Sequence, residues 1–248
     1  TRYKLVTGVQ TCALPIFTGT RLGDCKGNSN ITFDAAKTVY YRGTASANWG
    51  ATGTGNWSAT SGGSFDATQF PLAQDTAVFP AATYPASGST ITINAGYNIG
   101  TIDMSLRTSN TMTLSTISVT PTVYGNWING TGTTLSGSGT QIITFAGRTT
   151  QQITSAGRSF TQELAITSPS GTVQLQDAFT TGTLRVITLT QGTLDLQSYT
   201  LSTGLFSSTN SNTRTIAFGT GNITCTGTGT VWTTSTATNL TTTGTQVV

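Results

Sequence analysis

Apolar residues alternate with polar ones in one short segment after another, and that pattern confines this chain to strands. Ile91 and Ile93 alternate with Thr90, Thr92 and Asn94, and Ile102, Met104 and Leu106 alternate with Asp103 and Ser105. The pairs Met112 and Leu114, Val173 and Leu175, Leu184 and Val186, Leu194 and Leu196, Ile216 and Phe218, and Ile223 and Cys225 follow the same rule. Successive side chains of a strand point to opposite faces, so each pair predicts a short strand with one face buried. Alanine, leucine, glutamate and lysine form no useful stripe at i, i+3, i+4, i+7. Threonine, 58 of 248 residues, and glycine, 29, further disfavour a helix. A polar chain stays disordered when apolar residues are scarce; here they are regularly spaced, which argues for order.

Glycine, serine and asparagine steps separate these segments. Gly-Thr-apolar recurs at Gly171-Thr172-Val173, Gly182-Thr183-Leu184, Gly192-Thr193-Leu194 and Gly229-Thr230-Val231, and Ala-Gly-Arg occurs at Ala146 to Arg148 and again at Ala156 to Arg158. A turn about every ten residues suits a β-sandwich. A right-handed parallel β-helix, or solenoid, suits the chain better, because the repeats are near-interchangeable and Asn129-Gly130 is the one clear hairpin-type turn. Asp177 and Asp195, 18 residues apart, then fall near each other if one coil takes about 18–20 residues.

Residues 17–87 read differently. They carry Trp49, Trp57, Tyr40, Tyr41, Phe65, Phe70, Phe79 and Tyr84, with Pro71, Pro80 and Pro85. A stack of strands needs its open end covered, so this stretch is expected to form an aromatic cap or a small leading β module. The repeats are expected over 88–248, and the last residues still read as repeat, so the chain is expected to be cut at that end.

The opening residues resemble something else. Val6-Thr7-Gly8-Val9-Gln10-Thr11-Cys12-Ala13-Leu14-Pro15-Ile16 matches, codon by codon, the translation of a short-read sequencing adapter, and the residues before it fit the adapter's upstream arm and an index. Residues 1–16 are therefore set aside as an artefact, and fold and function are argued from Phe17 onward. On this reading the natural start, with any signal peptide, is lost, and the source is an assembled environmental read.

Without Arg2 and Lys4 the chain keeps nine basic and eight acidic residues, a net of +1. That offers no basic face for nucleic acid. The chain has no histidine, which removes Ser-His and Cys-His pairs and histidine metal sites. Cys25 and Cys225 read as two small hydrophobes rather than a bridge. No segment approaches the about 18–20 apolar residues of a membrane span. No Gly-rich phosphate loop opens a helix, and no cofactor is expected.

The acids Asp24, Asp34, Asp66, Asp75, Asp103, Glu163, Asp177 and Asp195 are the groups that could do catalysis. Sugar hydrolysis needs two carboxyls about 5–5.5 Å or about 6.5–9.5 Å apart. Asp195 lies between Leu194 and Leu196 and reads as outward, whereas Asp177 shares parity with Leu175 and reads as inward or in a turn, so solvated surface acids are the favoured reading. A lyase would need a basic partner, and the array offers Arg107, Arg148, Arg158, Arg185 and Arg214 but no lysine after Lys37. Asp75 alone makes a poor calcium site. Contact with a host-surface glycan falls on Trp127, Arg148 and Arg158: an indole can stack on a sugar face, and the two arginines each follow Ala-Gly. Trp49 and Trp57 are read as core or cap.

The block Leu22-Gly23-Asp24-Cys25-Lys26-Gly27-Asn28-Ser29-Asn30-Ile31-Thr32-Phe33, followed by Lys37-Thr38-Val39-Tyr40-Tyr41, Asn56-Trp57-Ser58, Ser61-Gly62-Gly63 and Phe70-Pro71-Leu72-Ala73-Gln74-Asp75-Thr76-Ala77-Val78-Phe79, resembles environmental and phage-associated surface proteins. The Asn-Trp…Pro…Asp…Ala-Val-Phe order also resembles the opening of β-helical passenger domains in bacterial autotransporters. The resemblance implies a β-solenoid in a virion appendage or cell-surface protein, and it supplies no catalytic residue. The expectation is a non-enzymatic structural and adhesive rod of a phage tail-associated fibre, extracellular, with a host glycan or receptor and other appendage subunits, such as a homotrimer, as partners. An autotransporter-like adhesin is the alternative, and a tailspike-type glycoside hydrolase the second alternative.

Overall fold

A computed structural model describes residues 21–50, 55–81, 83–117, 119–137 and 141–245. The adapter-like residues 1–16 lie outside the described residues, as do 17–20 of the expected leading module and 246–248 of the repeats. Among the described residues are twenty-two strands and one 3-10 turn, Ala67–Gln69. Every strand pair but one is parallel; Thr38–Tyr41 with Trp57–Ser58 is the antiparallel exception. Parallel strands require crossovers, and here the crossovers are themselves strands on other faces, so the chain winds into a three-faced solenoid of about seven turns. The β-sandwich alternative does not describe the molecule.

The chain visits the faces in a fixed order. Face A holds Thr38–Tyr41, Thr76–Val78, Thr101–Asp103, Trp127–Ile128 and Thr150–Thr154, then 172–175, 192–195, Arg214–Ala217 and Leu240–Thr243. Face B runs from Ala47–Asn48 through Ser89–Thr92, Met112–Ser115 and Thr133–Ser136, and resumes at Phe179–Thr180, Thr200–Thr203 and Asn222–Cys225. Face C runs from Asn98–Ile99 and Thr122–Val123 through Ile142–Phe145 to Leu205–Ser207 and Trp232–Thr233. The long strands Glu163–Leu175 and Val186–Asp195 turn the corner from C to A without a break, with register shifts between Ile166 and Thr172.

Side-chain alternation builds the core as columns. On face A, Val39, Ala77, Ile102, Trp127, Ile153 and Leu175 lie in register, and all are buried. On face C, Ile99, Val123, Phe145, Ile166 and Leu189 do the same. Ile91, Leu114 and Leu135 form the matching column of face B. Full burial of each such side chain contributes about 1.5–3 kcal/mol, and stacking like on like lets successive coils share one continuous core.

Outward positions carry the threonines. Thr150, Thr172, Thr193, Thr215 and Thr241 stand in one column on face A. A β-branched side chain suits a pleated surface, and this explains the composition. Two Gly-Thr-apolar repeats, at Gly171 and Gly192, are structurally equivalent, since Thr172 pairs with Thr193, 21 residues on. Their glycines sit where successive coils touch: a Cβ would lie 2.2 Å from the Gly147 carbonyl oxygen at Gly171 and 2.1 Å from that of Ser168 at Gly192. The repeat at Gly182 is not equivalent; it is a turn closed by the Arg185 amide on the Gly182 carbonyl. Leu184, expected inward, is 72% exposed, and Ile187 and Leu189 take the buried positions. Most coils are longer than the expected 18–20 residues, although Val186 pairs with Leu205, 19 residues on. Leu194 pairs with Ile216, 22 residues on, and Trp127 with Ile153, 26 on.

At the N-terminal end the strands of the leading stretch enter the same parallel sheets. Tyr41, Trp49, Trp57 and Phe79 fill the core there, with Phe79 stacked on Tyr41 at 5.1 Å and Trp49 and Trp57 4.8 Å apart. The antiparallel strand Trp57–Ser58 lies on the outer edge of Thr38–Tyr41, and its indole donates to the Trp49 carbonyl at 3.1 Å.

Candidate functional site

The corners of the coil are held by polar side chains that look catalytic in the sequence. Asp177 follows strand Glu163–Leu175 at the A-to-B corner, and its two oxygens accept the amides of Ser155 and Ala156 on the preceding coil, each at 2.7 Å. It thereby holds Ala156 at a φ of 50°. Asp195 points outward on face A and accepts from Gln174 at 3.1 Å, from the Gln197 amide at 2.9 Å and from the Gln197 side chain at 2.7 Å. The two acids share no hydrogen-bond partner: one fixes a corner, the other a polar ladder. Asp103 accepts the Ser105 amide, Asp66 caps the 3-10 turn through Thr68, and Asp24 pairs with Lys26 at 3.2 Å. Asp75, 1% exposed, accepts the amides of Lys37 and Leu72 and so ties strand Thr38–Tyr41 to the next coil. Burial raises the carboxyl of Glu163 on face C, against the pull of Arg185. Among the described residues no three His, Cys, Asp or Glu gather as a metal site.

Because Asp177 acts on the backbone, Asp177→Ala is expected to cost about 1.5–3 kcal/mol of stability. Thermal unfolding followed by circular dichroism measures this. Asp195→Ala, on the outer surface, is expected to stay within about 0.5–1 kcal/mol of the unaltered protein.

The three expected glycan contacts are not brought together. Trp127 is 1% exposed; it stands in the face A column between Ile102 and Ile153, with its ring 5.4 Å from Phe160 and its indole donating to Asn129 at 3.0 Å. It has no free face to offer a sugar. Arg148 is exposed at the corner between faces C and A, whereas Arg158 is half-buried at the corner between A and B. Equal Ala-Gly-Arg spelling thus places two arginines on different edges of one coil, not in a row. Trp232, 40% exposed, stacks on Phe206 at 4.5 Å, and Trp49 and Trp57 are buried. Cys25 and Cys225 are free thiols. Burial and the neighbouring Cys25 push the Tyr124 hydroxyl up to about 12.

Two arginines are fully buried without a carboxylate. Arg107 donates to the carbonyls of Pro80 at 2.9 Å and Thr111 at 3.1 Å, and burial lowers its pKa. Arg214 donates to Asn210, to the Asn212 carbonyl and, at 2.7 Å, to the Thr236 carbonyl. A guanidinium carries five donors in a rigid fork, so it can bind several carbonyls of a non-repeating loop at once.

Among the described residues, two of the open recesses contrast in chemistry. One, of about 250 Å³, follows the C-to-A corner along Ser170, Gly171, Gln191, Gly192, Thr193, Thr213 and Thr215, and is walled by hydroxyls, amides and backbone. The other, of about 420 Å³, lies near the N-terminal end between Ser61, Gly62, Pro80, Ala81, Thr83, Tyr84 and Leu106. Arg42 lies over the Tyr84 ring at 3.7 Å and near the Phe65 ring at 5.5 Å. Sequence reasoning misses this second recess, because Tyr84 and Leu106 meet only when one coil is laid on the next.

No family model, curated protein or solved structure matches this chain.

Proposed function

We propose that the chain is a structural and adhesive rod, part of a phage tail-associated fibre or a related extracellular appendage, and that it works by holding a receptor-binding surface away from its base rather than by chemistry. The unbroken parallel ladder of face A supports this reading. Nine rungs of face A, separated by eight spacings of about 4.8 Å, give a rod on the order of 38 Å long. Shared core columns and backbone ladders stiffen it along its length. The acids fit the same reading, since Asp24, Asp66, Asp103 and Asp195 hold local backbone amides and Asp75 and Asp177 hold amides of the preceding coil.

Labelled protein incubated with a panel of bacterial cells tests the proposal. Retention on the surface of some strains, with no release of reducing sugar from their glycans, is the expected result. Release of reducing ends would replace the rod with a tailspike-type hydrolase, and retention on no strain would remove the adhesive role.

A further inference from the structure

The recess beside Tyr84 has features of a binding site that the rod itself does not require. Its walls are fixed by side chains from separate elements. Arg107, buried, holds the Pro80 carbonyl; Asn110 donates to the Ala81 carbonyl at 2.6 Å; and Arg42 donates to the Gly63 carbonyl at 2.7 Å while its guanidinium covers Tyr84. A recess whose backbone is held on three sides loses little freedom when it is filled, which favours weak, small ligands.

Its lining is amphipathic. Pro80, Ala81, Leu106 and the Tyr84 ring give apolar surface, and Ser61 and Thr83 give hydroxyls beside it. Leu106 is 50% exposed, and Phe65, close to Arg42, is 44% exposed. A concave site lined mostly by apolar side chains with a few polar groups is the usual form of a small-molecule pocket. The lining residues themselves carry no charge, and the one cation beside them, Arg42, is engaged by the Tyr84 ring and the Gly63 carbonyl, so the recess favours a neutral ligand. The volume, about 420 Å³, lies in the range of small-molecule pockets, about 300–1,000 Å³. One ligand class has both a flat C–H face and a rim of hydroxyls without charge: a neutral pyranose.

We infer that this recess is a binding site for a neutral pyranose unit of a surface glycan, with Tyr84, Leu106 and Pro80 against its C–H face and Ser61 and Thr83 at its hydroxyls. This rests on the adhesive reading and gives it a location. No bond is made or broken at the site.

Saturation-transfer NMR on the full chain with N-acetylglucosamine, methyl α-mannopyranoside and methyl β-galactopyranoside tests it. Transfer to the ring protons of at least one sugar is expected, with a dissociation constant on the order of 1 mM. Leu106→Glu puts a charge in the recess at an exposed position and is expected to weaken binding about tenfold. Thr83→Val should weaken it as well, while Leu184→Glu, on a distant coil, should leave it unchanged. Equal transfer in the unaltered protein and in Leu106→Glu, or no transfer from any of the three sugars, overturns the site. Cell attachment that survives Leu106→Glu overturns the recess alone and leaves the adhesive rod standing. Sugar binding that depends on Leu106, in a chain that attaches to no cell, leaves the recess and overturns the adhesive reading.

Discussion

Trp127→Ala is expected to destabilise the protein by about 3–5 kcal/mol, the cost of emptying a large, fully buried aromatic position. The indole stands between Ile102 and Ile153 in the column of face A, and its ring meets Phe160, which in turn lies 4.7 Å from Phe179 on face B. Removing it opens a cavity at the centre of three successive coils. The Asn129 side chain also loses the donor that holds it while it binds the Ser155 carbonyl. Chemical denaturation with fluorescence and circular dichroism measures the loss. A sugar-stacking tryptophan on the surface would behave differently: its truncation would leave stability within about 0.5 kcal/mol and weaken glycan binding instead. A shift that small would contradict the core assignment.

Gln151→Leu is expected to lower stability, although simple burial points the other way. Gln151 sits inward on face A, in register with Val173, Leu194 and Ile216. A leucine there would extend an apolar column and contribute about 2 kcal/mol. The glutamine amide, however, is fully used. Its nitrogen donates to the carbonyls of Val123 at 2.9 Å and Gly125 at 2.7 Å, and its oxygen accepts from the Gly147 amide at 2.7 Å and the Ser168 hydroxyl at 3.2 Å. An amide has two donors and two acceptor sites, so its capacity is met. Leucine strands the Gly125 carbonyl and the Gly147 amide in a dry corner, each at a cost of about 1–3 kcal/mol, while the Val123 carbonyl keeps the Ala146 amide. The polar loss outweighs the apolar gain, and a net fall of about 1–3 kcal/mol is expected from urea unfolding. A more stable variant would show that water or a relaxed corner satisfies those groups.

These two positions show what alternation carries and what it hides. The columns were legible because period two survives wherever a strand runs straight: Ile91, Leu114, Leu194 and Ile216 are buried as expected. The pattern failed at corners. Leu106 follows Met104 in the alternation, yet the Arg107 amide closes a turn on the Met104 carbonyl, and the leucine swings outward. Leu184 is displaced by the turn at Gly182 in the same way. Trp127, beside a turn, reads in the sequence as a glycan contact, and the Ile102 and Ile153 registers place it in the core instead. Gln151 could not be read, because its four partners come from Val123, Gly125, Gly147 and Ser168, on three coils. The recess at Tyr84 was hidden for the same reason. A faint signal for it exists in the apolar Leu106 directly before the turn-forming run Arg107-Thr108-Ser109-Asn110.

The proposed function rests on a rod that displays a surface, and the most direct check is the gene itself. Recovering the coding sequence from source DNA, free of the adapter-like codons and extended on both sides, places the chain in its operon and its full polypeptide. Neighbouring genes for capsid, tail and packaging proteins are the result expected for a virion appendage. A gene flanked instead by a secretion signal and a C-terminal membrane barrel would assign the same solenoid to a bacterial passenger. A gene set devoted to intracellular metabolism would contradict the appendage outright.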